Sequence, residues 1–204
     1  MMVQLLALIL SVAVLFGAEN TKRIVVLGDS IAAGYGVDPD EAYPAVLQRK
    51  IDEAKLPYTV VNAGLSGDTT AGGLRRIDWI LKQPVDILII ELGGNDGLRG
   101  LPVSATRSNL QSIIDRARAK YPKTKIIVAG MKMPANMGPD YTADFEKVFA
   151  EIADKNKTAF VPFVLENVGG KAELNQPDRI HPTPAGHQIV AQNIWPVLQP
   201  LLKE

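Results

Sequence analysis

Ser30 is the residue of this sequence best placed to act as a nucleophile. It follows the apolar run Ile24 to Leu27 through the short turn Gly28-Asp29-Ser30. Such a run is typical of a strand buried in a parallel sheet, and reactive groups in open α/β sheets lie just beyond the carboxyl ends of these strands. An Asp-Ser pair would also suit the N-terminus of a helix, where both residue types are favoured caps. Whether Ser30 is a nucleophile or only a helix cap therefore depends on which other residues accompany it.

A histidine and an aspartate near the C-terminus have the spacing of a base and its partner. Asp178 lies three residues before His181, in a turn that ends at Pro182. A carboxylate at this spacing can reach Nδ1 of the ring and leave Nε2 free to take the proton of a serine. The loop location favours a catalytic role for this histidine. The other histidine, His187, has no acidic neighbour in sequence, and we expect it to be structural or surface-exposed.

Two glycine-rich segments follow the strands that should neighbour the first one. One runs from Asn62 to Thr69 and contains Gly67, and the other runs from Glu91 to Gly97 and contains Asn95. Glycine permits close backbone approach to a ligand, and an exposed N–H group there can donate to a developing oxyanion. Each segment alone could be a simple strand-to-helix turn. Together with Ser30 they indicate a preorganised electrostatic site.

The chain that positions these residues alternates strand-like and helix-like segments, a pattern typical of a parallel sheet covered on both faces. Apolar runs predict five strands: Arg23 to Leu27, Tyr58 to Asn62, Asp86 to Leu92, Lys125 to Ala129 and Thr158 to Val161. Apolar residues three and four apart predict five helices: Glu41 to Ala54, Thr70 to Lys82, Ser104 to Lys120, Tyr141 to Lys155 and Pro184 to Leu202. We expect Thr183 to cap the last helix and Pro196 to kink it or end its regular part. The long loops 131–140 and 162–180 should shape a binding site.

The composition excludes several classes of protein. The 204 residues carry 22 Lys and Arg against 22 Asp and Glu, so the basic surface of a nucleic-acid-binding protein is not expected. Cysteine is absent, which excludes disulfides, thiolate catalysis and sulfur-ligated metal sites. The two histidines are not clustered, which disfavours a transition-metal site. The length and the even composition after residue 18 predict a single domain over residues 19–204.

The N-terminal residues 1–18 form a separate segment. Leu5 to Phe16 is an apolar run that ends in Gly17-Ala18, and it is shorter than the roughly 20 residues needed to span a bilayer. We interpret residues 1–18 as a secretory signal peptide, with an uncleaved N-terminal anchor as the alternative. Both interpretations place the domain in the periplasm or outside the cell. We expect no stable membrane span in the mature form that cleavage of a signal peptide would leave.

The four chemical segments, in order, resemble the sequence blocks of the GDSL, or SGNH, hydrolase family. The blocks here are Gly28-Asp29-Ser30, Gly67, Gly93-Gly94-Asn95-Asp96 and Asp178-Arg179-Ile180-His181. The Gly-x-Ser-x-Gly elbow of typical α/β-hydrolases does not fit, because Ala32 occupies the place of the second glycine. Within the family the chain is most similar to the bacterial periplasmic esterases known as thioesterase I, lysophospholipase L1 or arylesterase. The segments that carry this likeness are Val61 to Ala63, Ser66 to Thr70, Glu91 to Gly100 and Met133 to Asn136.

This resemblance implies a three-layer α/β/α, flavodoxin-like fold with a five-stranded parallel sheet, and a monomer that hydrolyses acyl esters or thioesters without a cofactor or metal. Ser30 would attack the acyl carbonyl, His181 would move the proton, and Asp178 would orient the ring. The oxyanion would be held by the backbone N–H groups of Ser30 and Gly67 and by the side-chain amide of Asn95.

The predicted substrate is a small-molecule or lipid acyl ester. We assign Asp29, Met133 and Pro134 to substrate binding, in a groove bordered by the loop 131–140. Such an apolar groove favours medium or long acyl chains, since each buried methylene contributes about 0.8 kcal/mol. The alternatives are a carbohydrate acetylesterase, which shares the four blocks, and a secreted binding module with the same fold and no turnover.

Overall fold

The computed structural model describes residues 21–203. Within this range the chain forms one five-stranded parallel sheet and seven α-helices. The predicted signal peptide or anchor, residues 1–18, lies outside the described residues.

The five strands are those expected from the apolar runs. They are β1 Lys22–Gly28, β2 Tyr58–Asn62, β3 Ile87–Glu91, β4 Lys125–Ala129 and β5 Ala159–Val161. The sheet order is β2-β1-β3-β4-β5, and each neighbouring pair is parallel. The chain moves outward from β1 to β2 and then returns to β3 on the other side of β1. Crevices at such reversals of strand order, beyond the carboxyl ends, are where open α/β sheets bind ligands.

The five long helices are also found, with ends within one or two residues of those expected. They are α2 Tyr43–Glu53, α3 Thr70–Ile80, α5 Val103–Lys120, α6 Pro139–Asn156 and α7 Pro184–Leu201. Two short helices, α1 Ser30–Ala33 and α4 Gly94–Leu98, were not predicted. They are about one turn long, so they carry no 3.6-residue periodicity that a sequence pattern could reveal. Both follow central strands and begin inside the glycine-rich blocks.

The helices cover both faces of the sheet. Helix α2 packs against α7, while α3 packs against α5 and α5 against α6. All five residues of β3 are buried between these layers, as are the last five of β1. Burial on both faces explains why these strands read as unbroken apolar runs. The predicted three-layer α/β/α fold with a parallel sheet is confirmed.

Helix α7 corrects one of the two alternatives expected for Pro196, namely that it ends the regular part of the helix. As expected, Thr183 caps its start by accepting a hydrogen bond from the Gly186 N–H at 3.3 Å. The helix does not end at Pro196, however, but continues to Leu201. Ile194 and Leu198, on either side of the proline, are fully buried, and this packing maintains the helix despite the backbone donor that proline lacks. No helix within residues 21–203 is long and apolar enough to cross a membrane.

Candidate active site

Ser30, His181 and Asp178 form a continuous hydrogen-bonded chain at the carboxyl edge of the sheet. Ser30 begins α1 directly after β1, and its Oγ lies 2.9 Å from His181 Nε2. His181 Nδ1 lies 2.7 Å from Asp178 Oδ2. With the Nδ1 proton donated to the carboxylate, Nε2 is left to accept the hydroxyl proton of Ser30. The structure therefore brings together the three residues predicted to be catalytic.

The Asp178 carboxylate is held ionised by the turn that it helps to form. Its Oδ1 accepts hydrogen bonds from the backbone N–H groups of Ile180 and His181 at 2.9 and 3.0 Å. Partial burial acts to raise the pKa of Asp178, but the hydrogen bond from the His181 ring and those two N–H groups outweigh it and lower the pKa to about 2. The carboxylate can thus orient the ring and stabilise an imidazolium at any ordinary pH.

The loop after α1 supports the imidazole from the side. The Tyr35 ring lies against the His181 ring with centroids 4.6 Å apart. Gln176 connects the loop after α1 with the turn that carries His181. Its Nε2 donates to the Tyr35 carbonyl at 2.6 Å, and its backbone N–H donates to the His181 carbonyl at 2.7 Å. Sequence analysis missed both residues. Tyr35 is far from His181 in sequence, and Gln176 is close to it, but its bond to the Tyr35 carbonyl joins it to a residue 141 positions away.

Asn95 connects the segments that carry the predicted oxyanion donors. Its Nδ2 donates to the Asp68 carbonyl at 3.0 Å and lies 3.3 Å from Asp29 Oδ2. Asp68 follows Gly67, and Asp29 precedes Ser30. No described residue accepts a hydrogen bond from the backbone N–H of Ser30 or Gly67. These two N–H groups are thus available to an oxyanion, and the Asn95 amide lies between the loops that carry them.

Arg76 on α3 fixes the positions of these loops. Its Nε pairs with Asp68 Oδ2 at 2.7 Å, and its two terminal nitrogens donate to the Ala63 carbonyl at 2.5 Å and the Gly28 carbonyl at 2.9 Å. A planar guanidinium with several donors suits such a junction between a strand end and a loop. Sequence analysis did not identify Arg76, because its partners are distant in the chain.

Asp29 has a different position from the one predicted. We assigned it to substrate binding, but its side chain is only 2% exposed. Its Oδ1 accepts the Ile31 N–H at 3.0 Å, which makes it the cap of α1. Burial raises its pKa to about 6, against the lowering effects of the Ile31 N–H, the charge of His181 and the Asn95 amide. Asp29 therefore belongs to the scaffold beneath the site.

Within residues 21–203 no group of three or more His, Asp or Glu side chains could hold a metal ion.

An apolar cavity of about 500 Å³ opens beside the triad. Its lining includes Ile31, which follows the nucleophile Ser30 in sequence, and Gly94, which precedes Asn95. Met133 and Pro134, both predicted to bind substrate, line it, together with Leu98, Met131, Phe163, Leu165 and Ile180. Its volume is in the range typical of small-molecule sites.

Large apolar side chains are exposed in the segments near the triad. Of the five that are exposed in the described part of the chain, three lie in loops or turns and a fourth is the last residue of α4. These four are Tyr35, Leu65, Leu98 and Ile180, whereas the fifth, Trp79, lies near the far end of α3. Clustered exposed apolar residues indicate a surface that meets an apolar ligand.

Comparisons with known proteins agree with this geometry. The family model of the GDSL-like Lipase/Acylhydrolase family matches residues 26–189. The chain is 41% identical to Esterase TesA of Pseudomonas aeruginosa over 95% of its own length and 96% of that protein. It is 34% identical to Thioesterase 1/protease 1/lysophospholipase L1 of Escherichia coli, with 92% and 88% covered.

Solved structures agree with the fold as well. A crystal structure of TesA superposes with a TM-score of 0.85 at 42% identity, over 88% of this chain and 99% of that one. The predicted reaction class, hydrolysis of carboxylic esters, is confirmed by the family match and by the esterase and thioesterase names of these relatives. The chain belongs to the GDSL-like lipase/acylhydrolase family.

Proposed function

We propose that this protein hydrolyses acyl esters and thioesters through an acyl-enzyme on Ser30. The observation that carries the proposal is the chain of hydrogen bonds from Ser30 Oγ to His181 Nε2 and from His181 Nδ1 to Asp178, at 2.9 and 2.7 Å. His181 removes the hydroxyl proton as Ser30 attacks the acyl carbon, and then delivers it to the leaving alcohol or thiol. Water attacks the acyl-enzyme in the second half, with His181 again as the base.

The oxyanion formed in each half is held by the backbone N–H groups of Ser30 and Gly67 and by the Asn95 amide. The proposal is supported by the absence of any other described acceptor for the two backbone groups. Asn95 Nδ2 donates to the Asp68 carbonyl, which orients the amide before substrate arrives. Its other N–H, directed at Asp29 Oδ2 over a longer contact of 3.3 Å, is the one that turns to the oxyanion.

The cavity next to Ile31 takes the acyl chain. Its walls are formed mainly by Met, Leu, Ile, Phe and Pro side chains, and each methylene buried there is worth about 0.8 kcal/mol, or about fourfold in affinity. This favours medium or long chains over the acetyl group of a carbohydrate acetylesterase. The exposed Tyr35, Leu65, Leu98 and Ile180 near the triad suit an amphiphilic lipid ester for the same reason.

The working unit that we propose is the single chain, because the triad, the donors and the cavity all come from one copy. We also propose that it acts in the periplasm or outside the cell. The support for this location is the apolar run Leu5 to Phe16, followed by small residues. The specific substrate would then be an acyl ester or thioester present in that compartment.

The test is hydrolysis of p-nitrophenyl esters from acetate to palmitate, and of an acyl thioester, by the purified protein and by Ser30→Ala. We expect Ser30→Ala to lower kcat by at least about a thousandfold, and kcat/KM of the wild type to be highest for a chain longer than acetyl. Ser104→Ala, an exposed serine on α5, is the matched control. Labelling by an organophosphonate should be confined to Ser30. Equal turnover by Ser30→Ala would refute the serine mechanism, and an optimum at acetate would favour the acetylesterase. No turnover of any ester by folded wild type would favour a binding module.

A further inference from the structure

Glu91 is a fully buried acid that the proposed mechanism does not use. It is the last residue of β3 and lies opposite Gly28, the last residue of β1, in the parallel register. Every other residue of β3 is aliphatic. A carboxyl group at such a position costs free energy unless it makes specific contacts, so its contacts indicate what it is for.

The Glu91 carboxyl lies directly against the turn that carries Ser30. Its Oε2 accepts a hydrogen bond from the Ala32 N–H at 3.2 Å. Ala32 is the third residue of α1, two positions after the nucleophile. The N–H groups of the first turn of a helix have no partner within the helix. Glu91 therefore supplies from a neighbouring strand the acceptor that the start of α1 lacks.

Gly28 makes this contact possible. A Cβ atom at position 28 would lie 2.6 Å from Glu91 Oε2 and would also collide with the Ala32 side chain. Any residue other than glycine would thus push the carboxyl away from the turn. Gly28 and Glu91 therefore pack against each other beneath Ser30.

The surroundings of the Glu91 carboxyl favour its neutral form. Burial raises its pKa well above the usual value, the charge of Asp29 raises it further, and the N–H groups of Asp29 and Ala32 only partly oppose these effects. The other oxygen, Oε1, is buried without a hydrogen-bond partner among the described residues, which a full charge would not tolerate.

We propose that Glu91 is a positioning residue, which holds the Ser30 turn in its reactive geometry by accepting the Ala32 N–H. It touches no substrate and acts only through α1. Displacement of a nucleophile by about 1 Å can reduce a rate by about a hundredfold. The inference rests on the proposed serine mechanism, because its readout is the reactivity of Ser30.

The test compares Glu91→Gln with Glu91→Met. The Gln side chain is neutral and keeps a carbonyl oxygen for the Ala32 N–H, whereas Met has a similar length and offers no comparable acceptor. With p-nitrophenyl butyrate as substrate, we expect Glu91→Gln to keep kcat within threefold of the wild type. Glu91→Met should lose at least tenfold in kcat with KM within threefold, and the rate of Ser30 phosphonylation should fall in parallel. A purely structural role would not separate these variants by kcat once both are folded.

Ile89→Val, at a buried position on the same face of β3, is the control for a loss of stability without a loss of positioning. Its melting temperature should fall while kcat stays within twofold. If Glu91→Met retains kcat, or if folded Glu91→Gln loses as much as Glu91→Met, the proposal is wrong. Should Glu91→Met not fold, Glu91→Asp withdraws the acceptor by one methylene, and its kcat must then fall about tenfold to sustain the proposal. Failure of the serine mechanism itself would be recognised separately, by full activity of Ser30→Ala.

Discussion

The two histidines of the chain lie six residues apart, on either side of the start of α7, and have opposite surroundings. His181 is in a partly exposed turn, where its two ring nitrogens contact Asp178 and Ser30. His187 is fully buried, accepts the Tyr43 N–H on Nδ1 at 3.3 Å, and has no partner for Nε2 among residues 21–203. Its pKa is lowered to about 4, first by burial and then by the charge of His181.

The difference teaches what separates a catalytic base from a structural imidazole. A base must accept a proton and then be stabilised as a cation, which needs a nearby carboxylate and some contact with water. His181 has both, while His187 has neither and serves as a neutral acceptor between α7 and α2. Our expectation that His187 is structural agrees with its contacts, and the alternative that it lies on the surface is wrong.

The largest expected effect is on the activities of two parallel variants, His181→Asn and His187→Asn. His181→Asn removes the ring nitrogen that lies 2.9 Å from Ser30 Oγ and is placed to take its proton, so kcat should fall by at least about a thousandfold. His187→Asn keeps an acceptor for the Tyr43 N–H, so its kcat should stay within threefold. Ester hydrolysis by folded protein, with folding checked by circular dichroism, is the measurement. A large loss in His187→Asn, or a small one in His181→Asn, would break the distinction.

Asp178→Asn is expected to have the next largest effect, because it removes the carboxylate that distinguishes the two rings. An Asn side chain can still accept the backbone N–H groups of the turn, but its NH₂ group would face His181 Nδ1. The ring would then carry its proton on Nε2 and could no longer accept one from Ser30. We expect a loss in kcat of about a hundredfold or more with little change in KM.

The control for Asp178→Asn is Asp154→Asn, which removes an exposed acid near the end of α6. Steady-state kinetics of both variants on the same ester should separate them clearly. If the two variants retain similar kcat values, the Asp178 carboxylate is not what makes His181 a base. The presence of this carboxylate would then not explain the difference between His181 and His187.

The strands and the triad could be predicted because their signals are local or chemical. Unbroken apolar runs such as Ile87 to Ile90 indicate strands that are buried on both faces. Asp178 and His181 are close in sequence, so their pairing needs only a turn. Ser30 could be paired with them because a serine at a strand end, a base and an orienting acid complement one another chemically, although Ser30 and His181 lie 151 positions apart.

The residues that were missed act through contacts that sequence spacing does not encode. Glu91 reads as the polar end of an apolar strand, and only the register with Gly28 places it beneath the nucleophile. Arg76 reads as a surface residue of an amphipathic helix until its contacts with Gly28 and Ala63 are seen. Tertiary packing also overrides the local rule at Pro196, where burial of the neighbouring residues keeps α7 helical.

The smallest effect in terms of activity is that of His187→Asn, which should instead remove one contribution to the pH dependence of stability. The folded pKa of His187 is about 4 and lies below the ordinary histidine value of 6.5, so the unfolded chain binds the proton more tightly. The resulting stability is fully present above pH 6.5 and is lost as the pH falls toward 4, by about 3 kcal/mol in total. Asn at this position does not titrate and cannot show the loss.

Denaturant unfolding of the wild type and His187→Asn at a series of pH values from 7 to 4 tests this directly. At pH 7 the wild type should be the more stable protein, because Asn leaves a cavity next to Tyr43. That advantage should shrink as the pH falls, since protonation acts on the wild type alone. All groups other than residue 187 are the same in both proteins, so their contributions cancel in the difference. A difference in free energy of unfolding that stays constant from pH 7 to 4 would mean that His187 is protonated as easily in the folded protein as in the unfolded chain. Burial would then not be what separates the two histidines.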